Sequence, residues 1–437
     1  MRPIQSFTFC ALLILAALAT AGDNRLVVVT GYHENVSVPF REAFMAANPG
    51  VEVTILWHES EAALAAIDER AEGGVDVYWG ASPANFHALA LAKRLKPLGT
   101  ERGNLPEHIG DLPLGDPEQH YTAFELAGYG FIVNRTYLEK HKLPAPSDWT
   151  DLARDDYAGH LLLPVPSRQG TARLPYEILL QAQGWEKGWR LIMTMAAHAD
   201  LLPPGTASLS DQVAAGQKGV GLAIDFYARG SVAGHADASF TYPKTAAYSI
   251  ARVGILADAP HPESARRFVA FLLSTEGQGI LLRPGIDRLP VNPLVYRQKQ
   301  ARVNFDPYAV GASTPAPYEL ELAIRREGVV SALFDAMITE PHAKLVETWR
   351  LIQSAEQKAK SDSEALARLA QARDLLVTPP IDETGAGDSE IQALFPLGVD
   401  SWSQAARDRY AVWRKRIDGN LEAAVSTARA VLAKSTQ

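Results

Sequence analysis

Three short strand-like runs at residues 26–30, 51–57 and 75–79, the first almost wholly apolar and the third largely so, each followed by a stretch with helical spacing, constrain this chain more than any other feature. Such a run bounded by turn residues reads as a strand buried on both faces, and helices must then cover the sheet. The first run ends at Gly31. Val36, Phe40, Ala43, Phe44 and Ala47 then recur at spacings of three and four, and Asn48, Pro49 and Gly50 stop the pattern. After the second run, Ser60 can cap a helix carrying Ala63, Leu64 and Ile67. The third ends at Gly80, and Ser82 with Pro83 opens another helix, because proline presets φ and has no N–H to leave unpaired at the first helical position. Strand and helix alternating three times predict an open α/β sheet.

In such sheets ligands gather beyond the carboxyl ends of the strands, where helix N-termini offer unpaired N–H donors. That singles out Gly31, Tyr32 and His33 after the first strand and Gly80, Ala81 and Ser82 after the third; the alternative is that both glycines only make tight turns. A strand at 128–134 can carry the chain out of a first lobe. A strand at 161–164 then feeds the loop Val165, Pro166, Ser167, Arg168, Gln169, Gly170 and Thr171, ahead of a helix through Ile178, Leu179 and Ala182. The hydroxyls of Ser167 and Thr171, the backbone around Gly170 and the positive end of the helix can converge on a phosphate or phosphonate, with Arg168 or Arg173 adding charge. An ordinary capped helix with solvated arginines is the alternative, and Pro175 must fall in its first turn. Residues 219–225 form another buried strand ending at Asp225, whose carboxylate either meets a sugar hydroxyl or amine or caps the next helix. At 248–255 apolar residues resume, and the chain can return to the first lobe.

Composition narrows the classes of function. With 437 residues, 47% of them hydrophobic and 21% charged, the chain is folded and large enough for two or three structural units. A net charge of −8 provides no basic footprint for nucleic acid. Arg2, the apolar stretch at 7–19 and Ala19-Thr20-Ala21 predict a cleaved secretory signal over residues 1–21 and a periplasmic location. No later apolar run approaches the roughly 20 residues that span a bilayer, so direct membrane insertion is not expected. The single cysteine, Cys10, lies inside the expected signal, which leaves the exported chain without a thiol nucleophile, disulfide or thiolate metal site. His-Glu-x-x-His, Gly-x-Ser-x-Gly and P-loop patterns are absent and the eleven histidines are scattered, so neither an enzyme, a cofactor nor a metal is expected.

The order VVVTGY, FREAFMAANPGVEVTIL, GGVDVYWGAS, SDWTDLARDDYAGHLLLPVPSRQGT and APHPESARRFVAFLLSTEGQ resembles periplasmic solute-binding proteins of ABC importers, over roughly residues 25–290. Within that family it is similar to the branch holding ferric-iron, hexose-phosphate, phosphonate and phosphoglycerate-regulatory binding proteins. The resemblance implies a two-lobe fold whose hinge closes on a small solute, read by an ABC permease or by a sensor kinase in the inner membrane. Iron binders of the branch use adjacent tyrosines. The matching segment here reads Asp225-Phe226-Tyr227, whereas the Ser-Arg-Gln-Gly-Thr loop resembles the Ser-Arg-Ser-Gly-Thr loop of phosphorylated-solute binders, from which Gln169 departs. The expected ligand is therefore a small anion, held by Ser167, Arg168, Gly170 and Thr171, with Tyr32, His33, Gly80, Ala81, Ser82 and Asp225 meeting the remainder.

Beyond residue 291 the resemblance fades. An irregular connection at 304–318 precedes a helix begun by Pro341 and carrying Leu345, Trp349 and Ile352; a further helix at 364–376 is followed by a loop at 378–390. Trp402, Ala406, Tyr410, Trp413, Ile417, Leu421, Ala424, Ala428 and Val431 then repeat at helical spacing, as core packing or as a docking face for a membrane sensor. The expected organisation is α/β of the type II periplasmic-binding-protein fold: a signal at 1–21, lobe 1 at 22–127 and 246–290, lobe 2 at 128–245, and a helical C-terminal extension at 291–437.

Overall fold

The computed structural model describes residues 24–434 except 111, 169–171, 207, 299–304, 310–313, 316 and 317. The expected signal with Cys10, and Gly170 and Thr171 of the loop, lie outside the described residues. The chain divides into two compact units, Met1–Ala127 with Tyr248–Ala312, and Gly128–Ala247 with Ser313–Gln437.

In the first unit β1 (Arg25–Thr30) lies between β2 (Glu52–Trp57) and β3 (Val77–Gly80), all parallel, with Thr30 in register with Trp57 on one side and Trp79 on the other. The later half of β9 (Thr245–Leu256) runs antiparallel to β3, pairing Arg252 with Gly80. Leu26, Val27, Val28 and Val29 are fully buried, as expected of a strand covered on both faces. The covering helices are α1 (Glu34–Ala47) and α7 (Pro262–Leu273), and Phe44 meets Phe268 edge-to-face at 5.1 Å between ring centres. Between β2 and β3 lies α2 (Ser60–Asp68). After β3, α3 (Pro83–Leu91) starts as its sequence dictates: the Ser82 side chain accepts from the Asn85 N–H and Pro83 occupies the first turn.

Strand β4 (Thr122–Asn134) begins well before the 128–134 segment read from sequence. Its early part carries Glu125, a residue that interrupts the apolar run but is paired with Arg288 and almost fully buried. The later part enters the second unit and runs antiparallel to β7 (Val220–Ile224), with Tyr129 opposite Ile224 and Val133 opposite Val220. Strand β7 pairs in parallel with β5 (Leu161–Leu163), which pairs in parallel with β6 (Ala199–Leu201); β8 (Ala238–Thr241) joins the other side of β4. Helices α4 (Arg173–Gln183) and α5 (Trp185–Ala197) lie between β5 and β6, and Pro175 falls in the first turn of α4. Helix α6 (Asp225–Ala233) follows β7 directly.

The C-terminal helices belong to this second unit. They are α8 (Leu320–Phe334), α9 (His342–Lys358), α10 (Ser363–Val377) and α11 (Gln404–Lys434), with a π-helical turn at Asp335–Thr339 after α8. Sequence periodicity located α9, α10 and α11 but not α8. Two short helices, Glu383–Gly387 and Ser389–Leu394, occupy part of the expected 378–390 loop, capped by Asp382 and Asp388. Helices α9, α10 and α11 pack on one another, and Arg373 of α10 makes a bidentate pair with Glu356 while its guanidinium lies 4.4 Å from the centre of the Trp349 ring. Ala406, Trp413, Ile417, Leu421, Ala424, Ala428 and Val431 are buried, so the apolar stripe of α11 is core packing and its face is not left open for a sensor. At Gly328 of α8 a Cβ would come within 1.8 Å of the Phe395 carbonyl oxygen, so only glycine allows that approach.

Candidate functional site

Each unit has a carboxyl edge of strands where loops converge, and each edge is built from the residues the sequence singled out together with others it did not.

In the first unit, parallel register brings the segments after β1, β2 and β3 to one edge. Gly80 is buried, Ala81 is exposed, and Ser82 is half-buried with its side-chain oxygen engaged in capping α3. His33 is exposed beyond β1, and its ring stacks on Trp57 at 5.2 Å. Trp57, the last residue of β2, is 50% exposed, an unusual position for so large an apolar surface. The sequence reading treated it only as the end of an apolar run, although its place at the carboxyl end of a strand was the available signal. Tyr32 takes a different position from the expected one. It is a core side chain, 4.8 Å from Trp79 and 6.0 Å from Phe124 between ring centres. The Arg288 guanidinium lies 5.1 Å from its ring centre, and burial followed by the nearby Glu125 carboxylate pushes the phenol well above its ordinary pKa. Tyr32 is held by this buried group and is not presented to solvent.

In the second unit, β5 and β7 are parallel, so the loop after β5 and the start of α6 share an edge. Ser167 and Arg168 are both exposed there. The Ser167 hydroxyl donates to Asp335 Oδ1 at 2.9 Å, and Arg168 Nη1 reaches the Leu202 carbonyl at 3.4 Å. Arg173, an alternative source of charge in the sequence reading, is instead paired with Glu327 of α8 at 3.3 Å. Asp225 is fully buried. Its Oδ2 accepts from the Gly128 N–H and the Tyr242 hydroxyl, each at 2.8 Å, and its Oδ1 accepts from the Phe226 N–H at 2.7 Å. Arg229 in turn donates to the Tyr242 oxygen at 2.7 Å. Burial raises the pKa of Asp225, with Arg229 and these donors opposing it. The carboxylate therefore addresses protein groups from β4, from the segment after β8 and from the first turn of α6. Asp225 is the first residue inside α6 and Ile224 its N-cap, so the expected capping role is not met, and the contact with a solute that was the other expectation has no exposed oxygen to make it.

Helix α4, which follows the Ser167 loop, is held by the C-terminal helices. Glu177 of α4 accepts from Arg326 Nε at 3.0 and 3.1 Å, Arg326 is only 1% exposed, and its guanidinium lies 5.2 Å from the centre of the Trp185 ring. The sequence reading missed Arg326, Asp335 and Glu177, because nothing in residue spacing announces a contact across some 150 positions. Among the described residues no group of three His, Cys, Asp or Glu side chains is placed to hold a metal ion, and no helix is long and apolar enough to cross a membrane.

Comparison with known proteins defines the class. The family described as bacterial extracellular solute-binding protein matches residues 93–310. The phosphoglycerate transport regulatory protein PgtC of Salmonella typhimurium is 32% identical over 273 residues, which is 62% of this chain and 66% of that one. The match thus spans slightly less than two thirds of that relative. Iron-bound HitA from Pseudomonas aeruginosa shares the fold with a TM-score of 0.56 at 18% identity, covering 70% of this chain and 99% of HitA. The periplasmic binding protein AfuA from Actinobacillus pleuropneumoniae, bound to fructose-6-phosphate, does so with a TM-score of 0.50 at 20% identity, covering 66% and 94%. The fold is thus the mixed α/β periplasmic-binding-protein fold, with a helical C-terminal region. Over residues 93–310 the chain is similar to the bacterial extracellular solute-binding proteins.

Proposed function

We propose that this protein captures a small anionic solute, phosphorylated or bearing a phosphonate, for an ABC importer. The observation that carries the reading is the exposed Ser167 and Arg168 at the carboxyl end of β5, just ahead of α4. A hydroxyl, a guanidinium and the positive end of a helix are the groups that charge-assisted anion binding requires. Gly170 and Thr171 extend the same cradle in this reading, and His33, Ala81 and Ser82 supply polar groups for the uncharged part of a solute. Capture proceeds by hinge closure, with β4 and β9 as the strands common to both units. The name of the Salmonella relative favours a second reading, in which the bound state is signalled to a membrane histidine kinase. Residues 1–21 act as the secretory signal in either case.

A thermal-shift screen of the purified protein tests this with glucose 6-phosphate, 3-phosphoglycerate, methylphosphonate, inorganic phosphate and ferric ion. A ligand at about 100 times its dissociation constant stabilises by about 2.7 kcal/mol, which is readily measured. Stabilisation by a phosphate or phosphonate compound, lost in Arg168→Ala, is the expected result. Stabilisation by ferric ion alone would overturn it. Deletion of the gene separates the two roles by whether solute uptake or solute-induced gene expression disappears.

A further inference from the structure

Asp335 lies against the proposed anion loop, and the inference drawn from it rests on that anion-binding reading. It opens the π-helical turn between α8 and α9, and its Oδ1 accepts the Ser167 hydroxyl at 2.9 Å. A π-helical turn re-aims side chains relative to a regular helix, and such turns recur at functional positions. The re-aimed group here is a half-buried carboxylate. Burial raises its pKa, and Thr339, Ser167 and Arg168 draw it back down.

The groups around this carboxylate come from three elements. The loop after β5 supplies Ser167 and Arg168, its own turn supplies Thr339 and Glu340, and α11 supplies Tyr410 and Arg414. Arg414 is committed elsewhere, donating to Glu340 Oε2 at 3.0 Å and to the Ala336 carbonyl. Arg168 is then the cation that acts on Asp335 itself.

A hydroxyl has one hydrogen. While Ser167 gives it to Asp335, Ser167 can only accept, and an anion without a hydrogen would meet a lone pair and a negative carboxylate. An anion that keeps one hydrogen resolves the conflict, because its P–OH can donate to Asp335 while the Ser167 hydroxyl turns to the anion. We propose that Asp335 is a specificity-determining residue that makes this loop take anions carrying an ionisable hydrogen, such as hydrogen phosphate esters and phosphonates, in preference to isosteric anions that carry none, such as sulfate and sulfate esters. Binding of a doubly charged phosphate ester then takes up one proton from solvent.

The test is calorimetric titration of the full chain with glucose 6-phosphate, glucose 6-sulfate, inorganic phosphate and sulfate, in wild type, Asp335→Asn, Ser167→Ala and Arg168→Ala. Wild type should bind each phosphorus compound at least about tenfold more tightly than its sulfur counterpart, and glucose 6-phosphate affinity should fall by up to about tenfold per pH unit above the second phosphate pKa near 6. Asp335→Asn should bring the phosphorus and sulfur compounds to within about threefold and flatten the pH profile, since an amide can both donate and accept. The wild-type comparison stands even if that variant does not fold. Sulfur compounds binding as tightly as phosphorus ones, a flat wild-type profile, or a folded Asp335→Asn with unchanged ratio and profile would overturn the inference. If Ser167→Ala or Arg168→Ala weakens binding while one of those results holds, the anion reading survives and only the role of Asp335 falls. If none of the compounds binds, or neither substitution matters, both fall.

Discussion

The two carboxyl edges solve the problem of placing polar groups beside a buried sheet in opposite ways. In the first unit the charged pair, Glu125 and Arg288, is withdrawn into an aromatic core with Tyr32, Trp79 and Phe124, and the edge itself shows His33, Trp57 and Ala81. In the second unit the charges stay at the edge or directly behind it. Asp225 is bound by three donors, Ser167 by Asp335, and α4 by Arg326. The difference teaches that a residue's position at the end of a strand does not decide its role. What decides it is whether partners from distant segments have already taken its hydrogen-bonding capacity.

The largest expected effect tests the clamp on α4. Arg326→Ala leaves Glu177 buried without its cation and should cost about 3–5 kcal/mol in urea unfolding, because an unpaired buried charge is far worse than either the pair or no charge at all. An exposed control, Arg190→Ala, should cost no more than about 0.5 kcal/mol, since surface ion pairs contribute little. A loss below about 1 kcal/mol for Arg326→Ala would remove the clamp from the comparison.

Next in size is solute affinity. Arg168→Ala should weaken binding of the phosphorylated solute about ten- to a hundredfold, as expected for a hydrogen bond to a charged group. Ser167→Ala should have a smaller effect, and unchanged affinity in both would move the anion away from this edge.

A pH effect on stability comes third. His198 is buried on α5's exit from the second unit's core, and desolvation lowers its pKa, with Asp155 opposing. Below about 6.5 the unfolded chain takes up a proton that the folded one resists, so stability should fall as pH drops through that value toward the folded pKa. In His198→Gln this acid limb should flatten, and a wild-type melting temperature that does not fall below about pH 6.5 would contradict the assignment.

The smallest effect separates exposure from packing at the first edge. Trp57→Ala should lower solute affinity by only a few-fold and cost about 1–2 kcal/mol of stability, because only half of the side chain is buried. A loss of several kcal/mol would make Trp57 a core residue and erase the contrast between the edges.

Much of the architecture was legible because it rests on local rules. Ser82 and Pro83 marked the start of α3, the spacing from Leu345 to Ile352 marked α9, and Ser167 and Arg168 stood between a short apolar run and a helix. Helix α8 escaped because Arg326 interrupts its apolar face, and that arginine is apolar-compatible only once Glu177 and Trp185 surround it. Tyr32 was assigned to the edge for the same reason in reverse: a tyrosine after a strand looks available until Trp79, Phe124 and Arg288 close around it.

By itself the sequence determined the alternation of strands and helices, the parallel strands at the start of the chain and the loop of Ser167 and Arg168, all of which follow from apolar periodicity and turn chemistry among neighbours in the chain. Only the tertiary structure decided that Asp225 faces inward, that the stripe of α11 is buried, and that Asp335 meets Ser167. Hydrogen bonds and ion pairs such as that between Ser167 and Asp335, 168 positions apart, carry no periodic trace, so their partners become known only when the fold has brought them together.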